Sequence, residues 1–183
     1  MNLARRTFFS LSRVTWRETL VLMAMAWLVP FLVHILPWSG ARPLGVHLLP
    51  AFWTAFVAVY LYGGAIGVVV ALVVPVANLL TTGLPSLERT GLMTVELVAF
   101  VGVSAFLIQR WPAFRLAAPL AWLPAKALTS GLQWLLPVFA YTRNPFDHFV
   151  SSTRSCLAGL GVLLAINATL VALLPKDQDW DSE

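Results

Sequence analysis

Six apolar runs, each long enough or nearly long enough to cross a bilayer, leave this chain very little choice of fold. A spanning helix needs about 20 predominantly apolar residues, slightly fewer where the bilayer thins. The runs cover roughly residues 19–36, 46–62, 65–82, 92–108, 116–139 and 150–174. Only 11% of the 183 residues are charged, and the mean hydropathy is +0.81. A soluble domain carries about 25% charged residues, so this chain has too little polar surface to face water. The expected fold is therefore an all-α integral membrane protein, a bundle of six transmembrane helices. Residues 18–175 form the membrane domain, with a basic arm at 1–17 and an acidic tail at 176–183.

The breaks between runs carry turn chemistry: Pro37-Trp38-Ser39-Gly40, Gly63-Gly64, Gly83-Leu84-Pro85, Arg110-Trp111-Pro112 and Thr142-Arg143-Asn144-Pro145. Gly63-Gly64 is so short that the second and third runs must form a tight helical hairpin. Six spans put both termini on one side. That side carries Arg5, Arg6, Arg13, Arg17, Arg110, Arg115 and Lys176, seven cations against four (Arg42, Arg89, Arg143 and Arg154) on the other. Cationic loops stay inside, so both termini are expected in the cytoplasm and the protein in the cell's inner membrane. Leu3, Thr7, Leu11 and Val14 share one helical face, which suits an arm lying on the membrane surface. Arg5-Arg6-Thr7-Phe8-Phe9 loosely resembles a twin-arginine export signal, but the apolar run after it is too long for a signal core and no convincing A-x-A cleavage site follows that run.

Several function classes find no foothold. The formal charge is +4, yet the basic residues form no patch with interleaved aromatics, so no nucleic-acid partner is expected. The single cysteine, Cys156, excludes an intramolecular disulfide, and His34, His47 and His148 have no metal-ligand spacing. His47 is expected in a loop. Ser104 lies mid-run with no histidine placed to activate it, and no nucleotide-binding or paired-carboxylate motif occurs. No enzyme activity, catalytic residue, metal or cofactor is expected.

Polar residues inside the runs are the positive signal, because placing them against lipid is costly. Trp122, Lys126, Thr129 and Gln133 recur at spacings of four, three and four, which sets them on one helical stripe. Lys126 has three available roles: contact with a ligand carrying a carboxylate, an ion pair with Glu96, or snorkelling to the inner surface. Depth argues mildly against the pair. Glu96 is about 5 residues from the outer end of its run and Lys126 about 13, roughly 8 and 20 Å at 1.5 Å per residue. Trp122 or Trp134 is placed to stack on an aromatic ring. Asn167 reads as an interhelical hydrogen bond. Gly63, Gly67, Ala71 and Pro75, four apart, line one face of the third run, which serves either packing within the bundle or a partner.

The stretch 49–110 resembles the substrate-binding S components of energy-coupling factor (ECF) vitamin transporters. Gly63-Gly64-Ala65-Ile66-Gly67, then Ala71, Pro75, Asn78 and Thr82-Gly83-Leu84-Pro85, is similar to that family's GPxxG…G…SP…S…TGxP segment without a gap. Met93, Glu96-Leu97, Gly102 and Ser104 resemble its M…EL…YG…S helix, and Arg110 ends that helix as a basic residue does there. Three patterns depart: Met1-Asn2-Leu3 lacks the histidine near the N-terminus of the family's nickel and cobalt branch, and two others lie in the helices. Phe52 and Thr54 follow Pro50 where many relatives carry P-x-H-x-P, and only Ala24 and Ala26 are small where the first helix of relatives has AxxxA. The resemblance implies capture of a vitamin-like molecule at the outer face, for uptake driven by a transmembrane coupling subunit and ATPase subunits. Polarity and burial single out Asn78, Glu96, Lys126 and Gln133 as ligand contacts, with Trp122 beside them; of these only Asn78 and Glu96 match motif positions of the family. The resemblance also implies a docking face at Ala24, Gly63, Gly67 and Ala71. A different class shares the layout: six-helix assembly proteins similar to the rod-shape-determining D family, which transport nothing.

Overall fold

The computed structural model describes residues 16–35, 39, 44–83, 86–136 and 144–174. The arm before Trp16, the acidic tail, Leu84-Pro85 and residues 137–143 lie outside the described residues. Among the described residues there are eight helices and no strand: α1 (Trp16–Ile35), α2 (Leu44–Leu48), α3 (Pro50–Tyr62), α4 (Gly64–Thr82), α5 (Leu87–Arg110), α6 (Ala117–Leu135), α7 (Pro145–Ser155) and α8 (Leu157–Leu173). α4 and α5 are long and apolar enough to cross a membrane, and α7 with α8 makes a third if the bent pair counts as one span. α3 is apolar but only 13 residues long.

The glycine breaks behave as their chemistry requires. Gly63 has φ +89°, a conformation that costs a side chain dearly, and it alone separates α3 from α4. The hairpin closes symmetrically about it. A Cβ built on Gly67, four residues later, would run into Cγ2 of Val59, four residues earlier. Gly83, at φ +69°, stops α4 with its N–H on the Leu79 carbonyl at 2.9 Å. Helix α4 runs through Pro75 without ending there.

Two runs that read as single helices are broken. The second divides at Leu49, the one non-glycine residue among those described with a positive φ (57°). Proline disfavours α geometry in the residue before it, and Pro50 then opens α3 from its first turn, where its missing N–H costs nothing. His47, expected in a loop, therefore sits on α2, and its Nδ1 donates to the Ser155 carbonyl across 2.8 Å. The last run bends by 61° between α7 and α8. Hydroxyls back-bond along α7, Thr153 to the Phe149 carbonyl and Ser155 to the Ser151 carbonyl, both at 2.8 Å. Such bonds bend helices, and here the Cys156 N–H is shared between the carbonyls of Ser152 (3.0 Å) and Thr153 (3.2 Å). α7 also starts earlier than the run: Asn144 caps it by accepting from the Phe146 N–H at 3.0 Å, with Pro145 as its first residue.

The core is one continuous apolar cluster. Phe52 and Phe56 of α3 meet Phe100 of α5, with Phe52 and Phe100 edge-to-face at 5.1 Å between centroids, and Tyr60 packs on Phe56. Trp122 of α6, Leu163 of α8 and Val70 and Val74 of α4 complete it. Two bonds tie α8 in: the Tyr60 hydroxyl donates to the Leu174 carbonyl (2.8 Å), and Asn167 Nδ2 donates to the Phe114 carbonyl (3.1 Å). Asn167 thus bonds to the α5–α6 turn rather than to another helix. The outward surface is largely hydrocarbon, with Leu80, Leu87 and Leu173 each more than 70% exposed. That surface is compatible with membrane insertion.

Candidate functional site

Charge collects at one place inside this apolar bundle. Lys126 Nζ on α6 lies 3.1 Å from Glu96 Oε2 on α5, with side-chain exposures of 15% and 9%. The Thr129 hydroxyl, one turn along α6, stands 3.3 Å from the same carboxylate oxygen. The same hydroxyl also reaches the carbonyls of Ala125 and Lys126, so it donates to one of the three at a time. A buried pair survives desolvation only with such supporting bonds.

The depth argument from the sequence therefore fails, and the reason is where the helices end. α5 begins at Leu87, before its apolar run, and α6 stops at Leu135, short of the run's end at 139. Glu96 is nine residues from the first residue of α5 (96 − 87), and Lys126 is nine from the last of α6 (135 − 126). Both lie about 14 Å from the same end of the bundle. The ammonium is held in the bundle and does not snorkel to the other end.

The stripe on α6 is real and wider than the sequence suggested. Trp122, Thr129 and Gln133 are buried, and Ser130 is buried beside them. Ser130 Oγ lies 3.2 Å from Nδ1 of His148 on α7, which draws a third helix to the polar face. Ser130 is not singled out by the sequence, and His148 reads there only as a histidine without metal-ligand spacing at the end of an outer loop. The signal was present for Ser130, which stands four residues after Lys126 on the same helical face. His148 had no such signal, because its helix begins inside what reads as a loop.

Asn78 is buried near the end of α4, its carbonyl accepting from the Thr82 hydroxyl at 2.7 Å. No bond among the described residues joins it to the Glu96–Lys126 group. Trp122 is wholly enclosed and its indole N–H has no partner, whereas Trp134 is 66% exposed and faces outward. Of the small residues on the third run, Gly67 and Ala71 are buried within the bundle, Gly67 against Val59 and Val101. Gly63 is half-buried in its turn, and Ala24 is exposed on α1. Among the described residues no group of three metal-ligating side chains assembles.

The arrangement is a net-neutral ion pair with the Thr129 hydroxyl on its carboxylate, the Ser130–His148 hydrogen bond about one turn further along α6 and the buried Gln133 about two turns further, the pair itself lying roughly 14 Å from the ends of α5 and α6. Such a set can hold polar groups of a small molecule by hydrogen bonds. No family model matches the chain, and no curated protein or solved structure shows a significant similarity to it.

Proposed function

We propose that this chain is the substrate-binding membrane subunit of an ECF-type transporter. In this reading six spans cross the cell's inner membrane with both termini cytoplasmic, and a vitamin-like molecule binds from outside. The observation that carries the proposal is the polar group of Glu96, Lys126, Thr129, Ser130, Gln133 and His148 inside an otherwise apolar bundle. Buried polar groups in a membrane bundle mark ligand or ion sites more often than they serve stability. Asn78 extends the proposed site toward the outer surface, and Trp122 forms its floor. Because Lys126 is already neutralised by Glu96, hydrogen bonding rather than a free cation selects the ligand. Uptake is driven by a transmembrane coupling subunit and its ATPase subunits. Ala24, exposed on α1, is the member of the proposed docking set open to such a partner; Gly63, Gly67 and Ala71 hold the helices it would meet.

The decisive experiment is mass spectrometry of small molecules retained by the full chain purified from cells. The wild type is expected to carry one polar metabolite at near-stoichiometric amount. Gln133→Leu is expected to lower its retention at least about tenfold, the effect of leaving one to two hydrogen bonds unmade, with elution volume and helical content unchanged. A wild-type chain that carries nothing and instead co-purifies with cell-wall assembly proteins would favour the rod-shape-determining D class.

Topology is tested separately. A reporter fused after Glu183 is expected to read as cytoplasmic and one inserted beside Arg143 as external. A C-terminus on the outside would overturn the layout, whatever the ligand.

A further inference from the structure

The Glu96–Lys126 pair keeps hydrogen-bonding capacity that its own contacts do not fill. An ammonium carries three donors, and among the described residues Lys126 Nζ directs one of them to Glu96 Oε2, at 3.1 Å. An ionised carboxylate accepts at both oxygens, yet Lys126 and the Thr129 hydroxyl both approach Oε2. Oε1 takes no bond from a described residue. Nor is it sealed. Among the described residues, the side-chain polar atoms that are both enclosed and unpartnered belong to Trp53, Ser104, Trp122 and Asn167, so Oε1 reaches open space. The two side chains are 9% and 15% exposed. One pair without net charge thus offers a small molecule an acceptor and donors together.

We infer that this pair selects an uncharged ligand that presents a hydrogen-bond donor and an acceptor side by side, as a primary amide, a lactam or a cyclic ureide does. The inference rests on the reading that Glu96 and Lys126 line a ligand site, and it names what that site takes. The ligand carbonyl accepts from Lys126 Nζ, and the ligand N–H donates to Glu96 Oε1. Every other simple class leaves something unmet. A carboxylate meets the ammonium but lies against the Glu96 carboxylate, and like charges repel more strongly inside an apolar bundle than in water. An amidinium meets Oε1 but lies against Lys126 for the same reason. A ketone serves the ammonium and leaves Oε1 without a donor. A zwitterion matches both charges but must bring two charges of its own out of water, a cost the amide does not carry. The carboxylate-bearing ligand that Lys126 alone would suit is therefore not the one that suits the pair.

The full chain is immobilised in nanodiscs, and five probes are passed over it by weak-affinity chromatography, with empty nanodiscs subtracted: benzamide, benzoate, benzamidinium, acetophenone and phenylglycine. All five share a phenyl ring, so differences in retention report the polar end. The wild type is expected to hold benzamide at least about tenfold more tightly than each of the others, the worth of one hydrogen bond. Glu96→Gln leaves the ammonium without its counter-charge and is expected to put benzoate ahead of benzamide. A pair that serves the fold alone would leave the order unmoved. Benzoate or phenylglycine held best by the wild type would overturn the inference, as would five probes held alike, and these rankings decide even where the variant does not fold. A folded Glu96→Gln that still prefers benzamide would overturn it too. Preference for benzamide in a chain that retains no metabolite from cells would uphold this inference and remove the transport reading; a retained metabolite without that preference would do the reverse.

Discussion

Lys126→Met is expected to lower the unfolding free energy of the micelle-bound protein by about 3–5 kcal/mol, the usual consequence of leaving one member of a buried pair uncompensated. The substitution keeps the length of the side chain and removes its charge, so packing on α6 changes little. What remains is Glu96, 9% exposed, with only the Thr129 hydroxyl, among the described residues, near its carboxylate oxygen. Adding Glu96→Gln is expected to restore most of the loss, because an amide in that position no longer needs a cation. Chemical denaturation followed by circular dichroism measures both, and the non-additivity of the cycle is the coupling between the two side chains. A loss below about 1 kcal/mol for Lys126→Met would mean the pair behaves as a solvated surface pair, and the bundle would have to be open to water at that depth. The double variant also bears on the proposed site. Restored stability with no retained small molecule assigns the pair to the ligand as well as to the fold; restored stability with undiminished retention makes it structural only.

Gly159→Ala is expected to destabilise by about 2–3 kcal/mol, at the upper end of what one added methyl costs in a tight interior. The added carbon would lie 2.7 Å from the His47 carbonyl oxygen and 2.8 Å from the Leu48 carbonyl carbon. Those are backbone atoms of α2, so no side chain can turn aside to make room. At Gly67, by contrast, the nearest obstacle is a Val59 methyl. The control is two residues away. Gly161→Ala meets open space and replaces the poorer helix former, so stability is expected to be unchanged or slightly raised. Thermal unfolding of the two variants side by side reads out the difference, and equal midpoints would show that α2 does not pack on α8 as closely as described.

The clash at Gly159 was not available to sequence reasoning, and the pair of Glu96 with Lys126 was available only as one of three roles, with depth arguing mildly against it. Gly159 and Gly161 look alike in an apolar run; only the arrival of α2, residues 44–48, distinguishes them. His148 and Ser130 were missed for a related reason. The chemistry of Asn144-Pro145 reads equally well as a loop and as a helix start, and only the capped helix brings His148 round to α6.

The sequence by itself determined the helical, hydrocarbon-clad character of the chain, the hairpin at Gly63, the stop at Gly83 and the polar stripe on α6. Each of these follows from local rules: the composition of a run, the backbone freedom of glycine, and a period of 3.6 residues. Only the tertiary structure decided which polar groups meet. Depth in a bundle depends on where each helix begins and ends against its neighbours, and α5 and α6 both depart from the limits of their apolar runs. The same holds for the bends at Leu49 and Cys156, where a run without an internal gap in hydropathy changes direction because its flanking backbone bonds and the helices packed on it require it.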